Sequence, residues 1–309
     1  MYKNLNAAVL GVSGRQSELI ELAMTYGFKG LDVDAVDLVK RVQRSDFERA
    51  TRFLTSSKMA VSGFDVGIDL DCEDVEFEKA LVALPVTVEI AGKLGTRAGF
   101  LSLPAATNRK AFPEFFEMMT RRVERLAEIF EKHGVLLGLS FSTAAEDREG
   151  MQYQFIQDVA GFLAFFHACK SKAVALVIDT YDWTVGGGTF EQLGAISGNR
   201  IAALRIADAE SIPSVADSVR AKRQMSGTSG TIDNVRFVSV LSKTGYDGPI
   251  SSFPDASNFG GMTRDSIVAK TQDALDHVLA GAGLPTFTRR PDMVIESTAP
   301  SLEDIGLEA

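Results

Sequence analysis

Asp179 and Asp182 stand three residues apart in "VALVIDTYDWTVGGG" (174–188), where an apolar run of strand length ends in two acids, Trp183 and three glycines. Carboxylates so placed can hold a divalent cation, move a proton, or cap a strand end and the turn after it. Arg205 breaks a second apolar run in "IAALRIADA", and Asp208 follows it. A lone charge inside a strand is costly to bury unless it is paired, so Asp179 and Arg205 are expected to line a pocket. The other polar candidates at strand ends are Asp32, Asp34, Asp65, Asp69 and Asp255, with Lys222 and Arg223 in the long loop after Arg205. About half of such residues serve as turn or helix caps, and Asp65, Asp69 and Asp71 in "DVGIDLDCEDVE" suit that role.

His133, His167 and His277 fall in helical stretches rather than at strand ends. An imidazole base or metal cage would need a histidine at a strand end, so all three read as structural. Cys72 and Cys169 form no CxxC pair, which argues against a disulfide framework and a structural zinc site.

The elements that must position these residues repeat along the chain. Apolar runs at 7–12, 29–34, 59–66, 98–103, 135–141, 173–179, 200–206 and 249–253 read as strands. Between them lie helical patterns, two of which end at Gly134 and Gly245 as a helix C-cap requires. The strands lack polar alternation, as expected when both faces are buried. The turn "GVSGRQSE" lacks the GxGxxG of an open dinucleotide-binding sheet. Eight such units predict an α/β fold, a (β/α)8 TIM barrel, and 309 residues with 45% hydrophobic content can fill one.

The barrel domain is expected over residues 1–283, with its last helix at 263–280, and residues 284–309 form an acidic tail or arm. Met293, Val294 and Ile295 make a small apolar patch there. The patch is expected to dock on the barrel or a second subunit; a disordered end is the alternative. A net charge of −9 without a basic stripe argues against nucleic acid as a partner. No apolar run approaches the ~18 residues of a membrane span and none suits a signal peptide, so no membrane partner and a cytoplasmic location are expected.

The segments "ELIELAMTYGFKGLDVD", "EKHGVLLGLSF", "VALVIDTYDW", "RIAALRIADA" and "KTGYDGPISSF" together resemble the xylose isomerase-like TIM-barrel superfamily, over roughly residues 5 to 280. That family includes sugar-phosphate isomerases and epimerases and barrel-type AP endonucleases. The resemblance implies one divalent metal held by a Glu, an Asp, a His and a Glu that close strands five to eight. This sequence keeps only Asp179; Ser140, Arg205 and Phe253 stand at the other three positions, and Asp182 replaces a further His.

The resemblance thus implies an altered site, with Arg205 beside Asp179 and an anion in place of the cation. The expected cofactor is none, with weak magnesium bound through a substrate phosphate as the alternative. The expected partner is a small carbohydrate, sugar acid or sugar phosphate, and a homo-oligomer is left open. Asp179, Asp182 and Asp208 are the catalytic candidates for isomerase- or epimerase-like chemistry. Arg205, Arg223, Ser140, Asp32 and Trp183 are the candidates for substrate binding. A non-catalytic carbohydrate binder is the alternative, and whether the chain is an enzyme stays open. AP endonuclease activity would need several zinc ligands and a basic surface, both missing.

Overall fold

The computed structural model describes residues 1–289. Eight parallel strands close into a barrel: β1 (Tyr2–Leu5), β2 (Gly30–Asp32), β3 (Ala60–Asp65), β4 (Ala98–Ser102), β5 (Leu136–Ser140), β6 (Val174–Asp179), β7 (Ile201–Ile206) and β8 (Pro249–Ser252). Each strand pairs with its sequence neighbours, and β1 meets β8 in the register Tyr2 to Pro249 and Lys3 to Ile250. Helices lie between the strands, the last spanning Arg264–Gly281. A two-stranded antiparallel ribbon, Ala106–Thr107 with Tyr153–Gln154, sits outside the barrel and was not anticipated.

Seven expected strands coincide with observed ones. The first does not, because residues 7–12 form a turn and the chain enters the barrel at Tyr2–Leu5. Ala7, Leu10 and Val12 are nevertheless buried, so their apolar character records packing against the core rather than strand pairing. The real first strand carries two polar residues with partners inside the fold. Lys3 pairs with Asp276 at 2.7 Å, and Asn4 donates to Asp32 and Ser251.

Two cores result. The larger lies between strands and helices, whereas Ala98, Phe100, Ala175, Val177, Ala202 and Ala203 form a small cluster of their own. Alternation along a barrel strand sends every second side chain inward, and the alanines of this cluster leave room for one large ring. Phe100 takes that room. A Cβ on Gly63 would lie 2.2 Å from its ring, so β3 needs glycine there.

Six residues of the expected tail are described; Leu284 packs against the core, and three others are hydrogen-bonded to side chains of the barrel domain. Lys3 donates to the Phe287 carbonyl at 2.7 Å, Thr288 donates to Asp276, and Gln272 exchanges two hydrogen bonds with the backbone of Arg289. Met293, Val294 and Ile295 lie outside the described residues. Among the described residues no helix is long and apolar enough to cross a membrane.

Candidate functional site

The C-terminal ends of β4 to β8 surround a cavity of about 350 Å³. Ser102, Ser140, Ser142, Asp179, Asp182, Arg205, Arg220, Arg223 and Phe253 are among its lining residues. Asp179 and Arg205 are register partners on adjacent strands, so the strand ends deliver both to the same rim.

Asp179 closes β6 and is also the N-cap of the short helix Thr180–Val185. Its Oδ1 accepts from the backbone N–H groups of Tyr181 at 3.0 Å and Asp182 at 3.1 Å. Asp182, one turn on, accepts from the Thr143 N–H at 2.9 Å and the Thr143 hydroxyl at 2.8 Å. Both carboxylates are buried, 6% and 4% exposed, and two anions taken out of water require a cation.

That cation is Arg223 and not the expected Arg205. Arg223 Nη1 donates to Asp179 Oδ2 at 2.8 Å, and Nη2 donates to Asp182 Oδ2. Arg223 reaches the pair from the loop after β7, 44 residues beyond Asp179. The Asp255 N–H and the Asn258 side chain donate to its carbonyl at 3.0 and 2.8 Å, and its guanidinium lies 4.8 Å from the Tyr181 ring. Burial raises the Asp182 carboxyl above its usual range and the charge of Asp179 adds to this, with Arg223 and Thr143 opposing. Burial alone would lower the Arg223 guanidinium, but Asp179 and Asp182 together hold it well above its ordinary value.

Arg205 is held differently. Its guanidinium lies 4.3 Å from the Phe253 ring centroid and 5.0 Å from Phe100, within reach of cation–π attraction. Among the described residues none accepts a hydrogen bond or forms a close ion pair with it. Burial pushes it below its ordinary value, offset by the charges of Asp179 and Asp32.

Asp32 ends β2 on the far side of the barrel and borders a separate cleft of about 440 Å³. Asn4 and Asn6 donate to its two oxygens at 3.0 and 2.9 Å. Burial nevertheless pushes its carboxyl up to about 6, with Asn4, Arg205 and Asn6 pulling the other way.

Besides Asp32, two further expected site residues are not among those lining the cavity. Asp208 is fully buried and organises the following loop, accepting from the backbone N–H groups of Ala209, Ser229, Gly230 and Ile232 and from the Ser229 hydroxyl. Burial would raise its carboxyl, but these amides hold it below the usual range. Trp183 is buried in the core, and its indole N–H donates to the Thr189 carbonyl at 3.3 Å. A Cβ on Gly188 would lie 2.3 Å from that indole nitrogen, which accounts for one of the three glycines after the helix.

Of the remaining candidates, Ser140 lines the cavity, Asp34 caps the helix Ala35–Arg44, and Asp65, Asp69 and Asp255 each accept from a backbone N–H two residues on. Lys222 is exposed and donates to the Asp217 carbonyl. Sequence reasoning missed Thr143, Phe100 and Arg220. Only Phe100 carried a signal, as the bulky member of an alanine-rich inner layer.

A family profile described as xylose isomerase-like TIM barrel matches residues 20–275. No curated protein matches in sequence. Among solved structures, a xylose isomerase domain protein from Alicyclobacillus acidocaldarius superposes with a TM-score of 0.81 at 20% identity, covering 92% of this chain and 99% of the other. An IOLI protein with a binding zinc atom gives 0.76 at 16%, covering 91% and 98%. D-psicose 3-epimerase with D-tagatose from Clostridium cellulolyticum H10 gives 0.68 at 14%, covering 91% and 99%. At these identities the likeness is one of fold.

Proposed function

Because the chain belongs to the xylose isomerase-like TIM-barrel family, we propose that it binds a small carbohydrate bearing a carboxylate or phosphate at the barrel mouth, without a divalent metal. Arg205 is the anchor, and its state carries the proposal. It is a cation on the cavity wall, flanked by Phe100 and Phe253, with none of its N–H donors used within the described residues. A guanidinium offers a planar fork that matches a carboxylate or phosphate. Ser102, Ser140 and Ser142, which line the same cavity, suit sugar hydroxyls. Structural neighbours that are epimerases of D-psicose and of a 3-keto-D-glucoside support a carbohydrate as the ligand class.

A divalent metal does not fit this mouth. Among the described residues no three His, Cys, Asp or Glu side chains converge as a cage. Asp179 Oδ2 and Asp182 Oδ2 are both occupied by Arg223.

Calorimetric titration with sugar acids, sugar phosphates and neutral sugars tests the proposal. The parent is expected to favour the anionic ligands, and Arg205→Ala to lose at least about tenfold in their affinity. An unchanged affinity in Arg205→Ala would remove the anchor, and elemental analysis finding one tightly held metal per chain would remove the metal-free part.

Isomerisation or epimerisation is the second reading, favoured by Asp32. A carboxyl near 6 can take and return a proton close to neutrality, and the charge of Arg205 is felt there without a close ion pair. Solvent deuterium entering the carbon beside a ligand carbonyl, and lost in Asp32→Asn, would support it. No exchange with any bound ligand would leave binding alone.

A further inference from the structure

Two buried carboxylates one helical turn apart create a demand for positive charge that the barrel strands themselves do not meet. Asp179 and Asp182 share their acceptor oxygens with three backbone N–H groups and one hydroxyl, none of which carries a charge. Arg223 supplies the charge, at 9% exposure, with one nitrogen on each carboxylate. It is also a structural node. Its side chain joins the end of β6, its carbonyl joins the segment after β8, and next to it the Gln224 backbone pairs with Asp208 after β7. The ends of three adjacent strands are therefore joined through Arg223 and its neighbour.

We propose that Arg223 is the resident cation of this site, taking the place of an ion between Asp179 and Asp182, and that its charge latches the loop 208–232 over the barrel mouth. The proposal rests on the metal-free reading of the mouth but not on the identity of the ligand. One of the two negative charges is thereby cancelled from within the chain, so assembly of the mouth needs no dissolved cation between the two carboxylates. A guanidinium also fixes geometry that a spherical ion leaves free, because its two outer nitrogens must meet two separate oxygens in one plane. Removing it leaves two buried carboxylates with an unmet demand for charge, and that vacancy should accept a cation from solution.

The experiment compares thermal melting of the parent and Arg223→Ala in methylguanidinium, in Mn²⁺, and in sodium chloride of matched ionic strength. Arg223→Ala is expected to melt roughly 6 to 15 °C below the parent, and methylguanidinium or Mn²⁺ should restore part of that loss saturably. The parent should respond to neither. A variant as stable as the parent, or one that no cation rescues beyond the salt control, would overturn the proposal. Should Arg223→Ala fail to fold, the neutral set Asp179→Asn, Asp182→Asn, Arg223→Gln is compared with Arg223→Gln alone. The neutral set is expected to be the more stable, and equal or lower stability would overturn the proposal. Metal found in the parent would instead count against the metal-free reading, which keeps the two failures distinct.

Discussion

The two sides of the barrel mouth treat carboxylates drawn wholly or partly out of water in opposite ways. On the β6 side, Asp179 and Asp182 have their oxygens taken by amides, a hydroxyl and a guanidinium. On the β2 side, Asp32 has two neutral amide donors and no close cation, and its carboxyl rises to about 6. Burial costs charge on both sides. Where a cation and several donors answer it, the carboxylates become part of the framework. Where only amides answer it, the group keeps a proton equilibrium near neutrality, which chemistry can use.

The largest effect expected from this contrast is on stability. Asp182→Ala should cost about 3 to 5 kcal/mol, because it leaves Arg223 buried with one partner and the Thr143 N–H without its acceptor. Chemical denaturation measures this, and a loss below about 1 kcal/mol would show that the β6 side is not a framework. Arg205→Ala should behave in the reverse sense. It breaks no ion pair, so it should cost little beyond its aromatic contacts, about 1 kcal/mol, while anion affinity falls. A destabilisation as large as that of Asp182→Ala would erase the distinction between the two cations.

The smallest effect is a pH dependence on the β2 side. A carboxyl with a folded value near 6 and an unfolded value near 4 binds its proton more tightly when folded. Its contribution to stability is complete below pH 4 and is lost as pH rises through 6. Partial exposure to solvent makes this on the order of 1 kcal/mol. Asp32→Asn should flatten the slope of stability between pH 4 and 6; an unaltered slope would place the titration elsewhere.

Seven strands and the closed barrel were legible because burial on both faces writes continuous apolar runs into the sequence. The first strand was not, since Lys3 and Asn4 find partners from Asp276, Asp32 and Ser251, which no local pattern reveals. Asp179 and Arg205 were legible as charges interrupting strands. Their pairing was not. Register places them side by side, but the guanidinium that meets Asp179 arrives on an irregular loop without periodicity. Asp208 looked like its neighbours at strand ends, and only the fold shows the loop amides gathered around it. Trp183 was read toward the cavity, although the glycine that follows was there to receive its ring.

The seam between β1 and β8 also sets a schedule for folding. Asn4 meets Ser251 across 247 positions, and Lys3 meets Phe287 across 284. Such contacts have the highest sequence separation among the described residues, and contacts of that kind close slowly. On the ribosome, β1 can pair with β2 early, yet its other edge must wait until nearly the whole described chain has emerged. Any sheet formed before β8 emerges therefore carries an unpaired edge, on which chaperones and competing strand pairings would act.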